Sequence, residues 1–120
     1  KFRYYKTFLK ELIMTFGLKE ETLIQIRNVI SDFPEVEEVL IYGSRAKNNF
    51  RPGSDIDLTF KGNKLNLMII NKISLKIDDL LLPYKFDISV FEHIDNQDLL
   101  KHIRLMGKTF YERQHVETIL

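Results

Sequence analysis

Cysteine is absent from the 120 residues. That removes disulfides, thiolate zinc sites and cysteine nucleophiles. Any metal must then be held by oxygen or imidazole donors, which favours hard ions such as Mg²⁺. An excess of one charge is also missing: 18 Lys and Arg face 17 Asp and Glu, a formal net charge of +1. The basic residues are spread along the chain, with no basic tail. A general nucleic-acid binder carries a basic stripe or a higher pI. Strong general nucleic-acid binding is therefore not expected, and small-molecule or protein partners come first. No apolar run approaches the ~20 residues that span a bilayer. Lys6, Lys10 and Glu11 interrupt the first apolar residues, so no signal peptide is read there. The expected location is the cytoplasm.

What is present suits a folded domain. The residues are 44% hydrophobic and 29% charged, ordinary for a globular protein. At this length roughly two-thirds of the unfolded surface can be buried, enough for a core without staples. Residues 1–16 read as a helical extension, with Tyr5, Leu9, Leu12 and Ile13 at helical spacing; 17–120 read as the main domain. Leu23, Ile26 and Ile30 predict an amphipathic helix over 20–33, ended by Pro34. Residues 36–42 predict a strand closing at Gly43. A turn or short helix covers 44–50, and Arg51-Pro52-Gly53-Ser54 is turn chemistry. Residues 55–60 alternate as a strand does. A helix follows over 65–80, ended by Pro83, then a strand over 86–91. Asp95 is the expected N-cap of a helix over 96–106, with Leu99, Ile103 and Met106 inward and Gly107 as its C′ residue. Phe110 and Tyr111 are expected to pack back on the core. The order predicts an α+β fold, helices against a small mixed sheet.

The chemistry concentrates in two segments. On a strand, Asp55, Asp57 and Thr59 share one face and Ile56, Leu58 and Phe60 the other. Residues 86–91 repeat the pattern, with Asp87 and Ser89 opposite Phe86, Ile88 and Val90. If the two strands are neighbours on one core, the three aspartates share the polar face. Like charges there repel, and a cation offsets them. Mg²⁺ takes one or two carboxylates and completes its shell with water and phosphates. The plain alternative is that these aspartates solvate the outer face of a sheet. Gly43-Ser44-Arg45 adds a second signal. Glycine lets backbone approach a ligand, and free N–H groups at a helix start favour phosphate. Ten residues separate Ser44 from Asp55, so a phosphate cradle and the carboxylates fall on consecutive elements.

Gly43-Ser44-Arg45-Ala46 followed by Gly53-Ser54-Asp55-Ile56-Asp57-Leu58 resembles the signature of the nucleotidyltransferase superfamily typified by DNA polymerase beta. More closely, the chain is similar to the minimal nucleotidyltransferases of bacteria and archaea. The resemblance runs from about Phe16 to Tyr111 and takes in the 81–87 segment ending at Asp87 and the closing 107–111 segment. It implies the polymerase beta palm-like fold. It also implies that Gly43 and Ser44 hold the triphosphate of ATP and that Asp55 and Asp57 bind the metal ions. Asp87 would be the third carboxylate of the metal and catalytic set, assisting deprotonation of the acceptor hydroxyl. Arg45 would lie near the phosphates, although its bare reading is a solvent-facing helix cap. The family often has Gly at or near Asn48, and Asn tolerates the same left-handed backbone.

The resemblance implies a partner too. Minimal nucleotidyltransferases commonly pair with helical HEPN-type toxins, act as antitoxins, and place AMP on a toxin tyrosine. Larger superfamily members carry extra domains for the second substrate, for which this sequence has little room. Two other functions stand beside protein adenylylation: a non-catalytic module that neutralises its partner by contact, and transfer to a small molecule such as an aminoglycoside. Other residues take ordinary roles. His93, His102 and His115 have no partner at metal spacing and read as surface or packing residues. Tyr42 reads as core, Lys47 and Arg51 as solvated, Tyr84 as a packed ring in a turn, and Ser54 as a turn cap. Phe50 flanks the phosphate loop and could stack on a base.

Overall fold

The computed structural model describes residues 14–114. The 1–13 part of the expected N-terminal extension and His115 lie outside them. Helix α1 spans Glu20–Ser31 and buries Thr22, Leu23, Ile26 and Ile30 along one stripe. No side chain caps its start, but Glu20 and Glu21 occupy the first turn, where negative charge suits the helix dipole. The helix stops two residues short of the expected end. Asp32 caps it, and Phe33 and Val36 continue as tight turns with N–H groups on Ile30 and Phe33 carbonyls. Strand β1 is Glu38–Tyr42 and β2 is Ile56–Lys61.

Helix α2, Leu67–Asp78, is shorter than its apolar spacing predicts. Asn66 caps it by accepting the Ile69 N–H, and Ile70, Ile73 and Ile77 are its buried residues. Beyond the C-cap Asp79, Leu80 and Leu81 turn back, and Leu81 is left-handed at φ 55°. Strand β3 is Phe86–Val90, and Phe91–His93 form a single 3₁₀ turn. Helix α3 spans Gln97–Met106. Its N-cap is Asn96, which accepts the Leu99 N–H at 3.0 Å, not Asp95. Ile103 is inward, but Met106 is exposed. Gly107 does not adopt the expected left-handed C′ form. It sits at φ −64° and ψ 146° with its N–H on the Ile103 carbonyl, and the chain runs straight on as a strand.

That strand, β4 at Lys108–Glu112, is the element the pattern missed. Only Phe110 of its five residues is buried, so its two-residue period is barely written in the sequence. The sheet order is β3-β2-β1-β4. β1 pairs antiparallel with both β2 and β4, while β2 and β3 are parallel. The parallel pair needs a crossover, and α2 supplies it. Helices and a four-stranded mixed sheet thus give the α+β class expected.

The two sheet faces differ. Val39, Ile41, Ile56, Leu58, Phe60 and Phe110 join the buried residues of α1 and α2 in one core cluster. Truncating one of these fully buried residues, such as Ile73, to Ala would cost about 2–5 kcal/mol. The opposite face carries Tyr42, Asp57, Thr59, Asp87 and Ser89. There α3 lies against β1, with the His102 ring edge-on to Tyr42 at 6.2 Å. Phe16 packs on Phe110 with ring centroids 6.1 Å apart, so residues just before Gly17 belong to the packed body. Among the described residues no helix is long and apolar enough to cross a membrane.

Candidate active site

The site forms where β1 ends. Tyr42 is the last residue paired with β2, opposite Asp57. Gly43 then turns the chain at φ 75°, and a β-carbon there would run into Asp57 Oδ2. Glycine is required twice, for the left-handed backbone and for the close approach. The Gly43 carbonyl accepts the Lys47 N–H at 3.2 Å, which closes one helical turn. The amides of Ser44, Arg45 and Ala46 have no partner among the described residues. Asn48 is left-handed at φ 61°, the conformation for which Asn stands in for glycine.

Parallel pairing sets Asp57 beside Asp87 and Thr59 beside Ser89. Adjacent strands lie about 4.8 Å apart, so two carboxylates face the same space. Beneath them Ser89 Oγ donates to Thr59 Oγ1 at 3.0 Å, and Thr59 is fully buried. Asp55 precedes β2 and is exposed, not part of the strand. Burial first, then the charges of Asp87 and Asp55, push the Asp57 carboxyl above the usual carboxylate range; His102 and Arg45 oppose them. The Tyr42 hydroxyl is also pushed up, by burial above all. A hydrogen bond with Ser89 opposes this, and the Asp87 and Asp57 charges add to it.

Asp57 and Asp87 in register, with Asp55 just before the strand, offer oxygen donors of the kind a hard divalent ion takes. Among the described residues no three acidic or imidazole side chains form a complete cage. Mg²⁺ does not need one, since it keeps waters and takes substrate phosphates as ligands. The in-register carboxylates of Asp57 and Asp87 fit such an ion only where water and phosphate oxygens complete its shell.

Arg45 is not solvent-facing. It is 2% exposed. Its Nε–H and Nη2–H donate to the Ser54 carbonyl at 3.1 and 2.8 Å, and its Nη1–H to the Phe16 carbonyl at 3.0 Å. The guanidinium lies 5.2 Å from the Phe50 ring centre and 5.0 Å from that of Tyr84. One side chain thus joins the Gly43 turn, the residue before Asp55 and the loop before β3. Burial pulls its pKa down, while Tyr84 and Asp57 hold it up. Phe50 is occupied by Arg45 in this arrangement. Ser54 does cap its turn, accepting the Arg51 N–H at 2.8 Å. Tyr42 is buried, and Lys47 and Arg51 are exposed.

The residue that local reasoning passed over is His102. Its Nε2 accepts the Gly43 N–H at 3.1 Å across 59 positions of sequence. Its place beside Ile103 on the inward stripe of α3 was the only local signal, and it says nothing of Gly43.

A mixed sheet of this order sets a glycine turn against paired carboxylates at the end of β1. The chain belongs to the polymerase beta nucleotidyltransferase family: the family model described as "Polymerase beta, Nucleotidyltransferase" matches residues 24–116. No curated protein matches the sequence significantly. The fold is shared with solved structures. A toxin–antitoxin structure with AMP-PNP is similar at TM-score 0.61 and 18% identity, over 81% of this chain and 76% of that one. A structure of a tri-AMPylated Shewanella oneidensis HEPN toxin in complex with MNT antitoxin is similar at 0.58 and 16%, over 78% and 72%. The toxin–antitoxin MntA–HepT gives 0.58 and 15%, over 79% and 74%.

Proposed function

We propose that this chain transfers an adenylyl group from ATP to a hydroxyl of a HEPN-type helical toxin, and so acts as its antitoxin. The observation that carries the reading is the contact of the Gly43 turn with Asp57, itself in register with Asp87. A glycine turn and a pair of neighbouring carboxylates are brought together at the end of β1. In a binding protein nothing would offset the repulsion between those carboxylates. The partner and the nucleotide are supported by the folds it shares with toxin–antitoxin structures, one with AMP-PNP and one with an AMPylated toxin.

In this reading the Gly43–Ala46 turn receives the triphosphate through the amides of Ser44 to Ala46, which have no partner among the described residues, aided by the Ser44 hydroxyl. Asp55 and Asp57, with Asp87, would hold Mg²⁺. A bound Mg²⁺ supplies positive charge that offsets the carboxylates and the phosphates at once. Asp87, at the exposed edge of the pair, takes the proton of the acceptor hydroxyl. The hydroxyl oxygen bonds to the α-phosphorus, the bond from that phosphorus to the bridging oxygen breaks, and pyrophosphate leaves with the electron pair. The turn and the strands supply orientation more than covalent chemistry, as in other phosphoryl transfers.

The test is the intact mass of the protein encoded beside this gene after co-expression, with an Asp57→Asn chain alongside. A gain of one or more AMP units with the unmutated chain alone supports the proposal. An unmodified partner that still binds tightly to both chains favours neutralisation by contact. An unmodified partner that does not bind refutes the pairing.

A further inference from the structure

The geometry points to His102 as a positioning residue that holds the phosphate turn in its binding shape; this rests on the nucleotide reading of the Gly43 turn. Gly43 carries the first amide beyond the β1 ladder, whose last pair with β2 is Tyr42 and Asp57. A part-buried N–H without a partner costs about as much as a lost hydrogen bond. The imidazole Nε2 fills that need at 3.1 Å. The lone pair of a ring nitrogen can accept such an amide, which a phenyl ring cannot do.

Gly43 is thereby fixed on three sides. Its N–H goes to His102, its carbonyl to the Lys47 N–H, and its α-carbon sits against Asp57 Oδ2. The adjacent amides of Ser44, Arg45 and Ala46 stay without partners among the described residues. His102 occupies the one amide at the base of the turn and leaves the next three to a ligand. The ring is itself held edge-on to Tyr42 at 6.2 Å and 75°, on a helix anchored by Ile103. The turn is thus tied to α3 as well as to its own strand. A phenylalanine could fill the same space; it could not accept the amide. Holding the turn before a nucleotide arrives removes an ordering cost from binding.

The test compares His102→Phe, which keeps the ring and loses the acceptor, with His102→Gln, whose amide oxygen can reach the same position. Gly43 amide exchange is followed by NMR without ligand. Affinity for AMP-PNP with Mg²⁺ is measured by calorimetry. With Phe, Gly43 exchange should quicken about tenfold and AMP-PNP binding weaken about five- to tenfold, the scale of one hydrogen bond. Gln should return both to within about twofold. Unchanged Gly43 exchange in the Phe variant, or equal impairment by Phe and Gln, would overturn the inference. Faster exchange with unaltered affinity would reduce His102 to a structural contact and overturn the binding role. If the unmutated chain itself fails to bind AMP-PNP, the nucleotide reading falls, and Gly43 exchange alone still decides whether His102 holds the turn.

Discussion

Replacing Asp57 by Asn should stabilise the protein while abolishing transfer. The side chain keeps its shape and loses its charge. Asp57 is half-buried beside Asp87 in register, and no hydrogen bond reaches its carboxylate among the described residues. At the separation of adjacent strands, two carboxylates repel by about 1 kcal/mol in a largely solvated setting, and cross-strand like charges cost a similar amount. For a domain of this size that corresponds to a rise of about 3–5 °C in Tm. The sign follows from linkage. Burial, Asp87 and Asp55 raise the folded-state pKa of Asp57, so the folded form holds this proton more tightly than the unfolded chain. The stabilisation from protonated Asp57 is fully present below its unfolded value and is lost as pH rises through the raised folded value. The Asn variant's advantage should therefore be largest at pH 7 and vanish below about pH 4. Thermal melts at both pH values, with and without millimolar Mg²⁺, provide the assay. Mg²⁺ should raise the Tm of the unmutated chain and leave the variant nearly unmoved. An Asn variant no more stable than its parent at pH 7, or equally advantaged at both pH values, would refute the claim that these carboxylates strain the fold.

Other substitutions test the same frame. Gly43→Ala should cost about 1–2 kcal/mol for the left-handed backbone alone, push Asp57 aside and eliminate transfer, read by thermal denaturation and partner mass. Arg45→Lys should cost about 2–4 kcal/mol in urea unfolding, because an ammonium cannot serve the Ser54 and Phe16 carbonyls together or stack between Phe50 and Tyr84. Leu81→Gly should stabilise by about 0.5–1 kcal/mol, since Leu81 is left-handed and 87% exposed; the relief of backbone strain exceeds the added freedom of the unfolded chain. A loss of stability at Leu81→Gly would show that its side chain contributes more than its backbone costs.

Much of this protein is local and therefore legible in its residues. The apolar stripe of Leu23, Ile26 and Ile30 determined α1, and the alternation around Asp57 and Asp87 determined two strands, because burial repeats with the period of each element. The glycine at 43 and the Asn at 48 announced a turn that needs left-handed backbone. Element ends were less readable. Asn66 and Asn96 win their caps over their neighbours through hydrogen bonds that only the folded geometry selects. β4 stayed hidden because an edge strand with one buried residue has almost no period to detect. Tertiary structure alone decided the rest. It set β2 parallel to β3, so that Asp57 meets Asp87 in register. It turned Arg45 inward to join segments 29 positions apart, and it carried His102 across 59 positions to the Gly43 amide. A local pattern reports which face a side chain takes; which partner waits on that face depends on chain-distant packing, and no short stretch of sequence contains it.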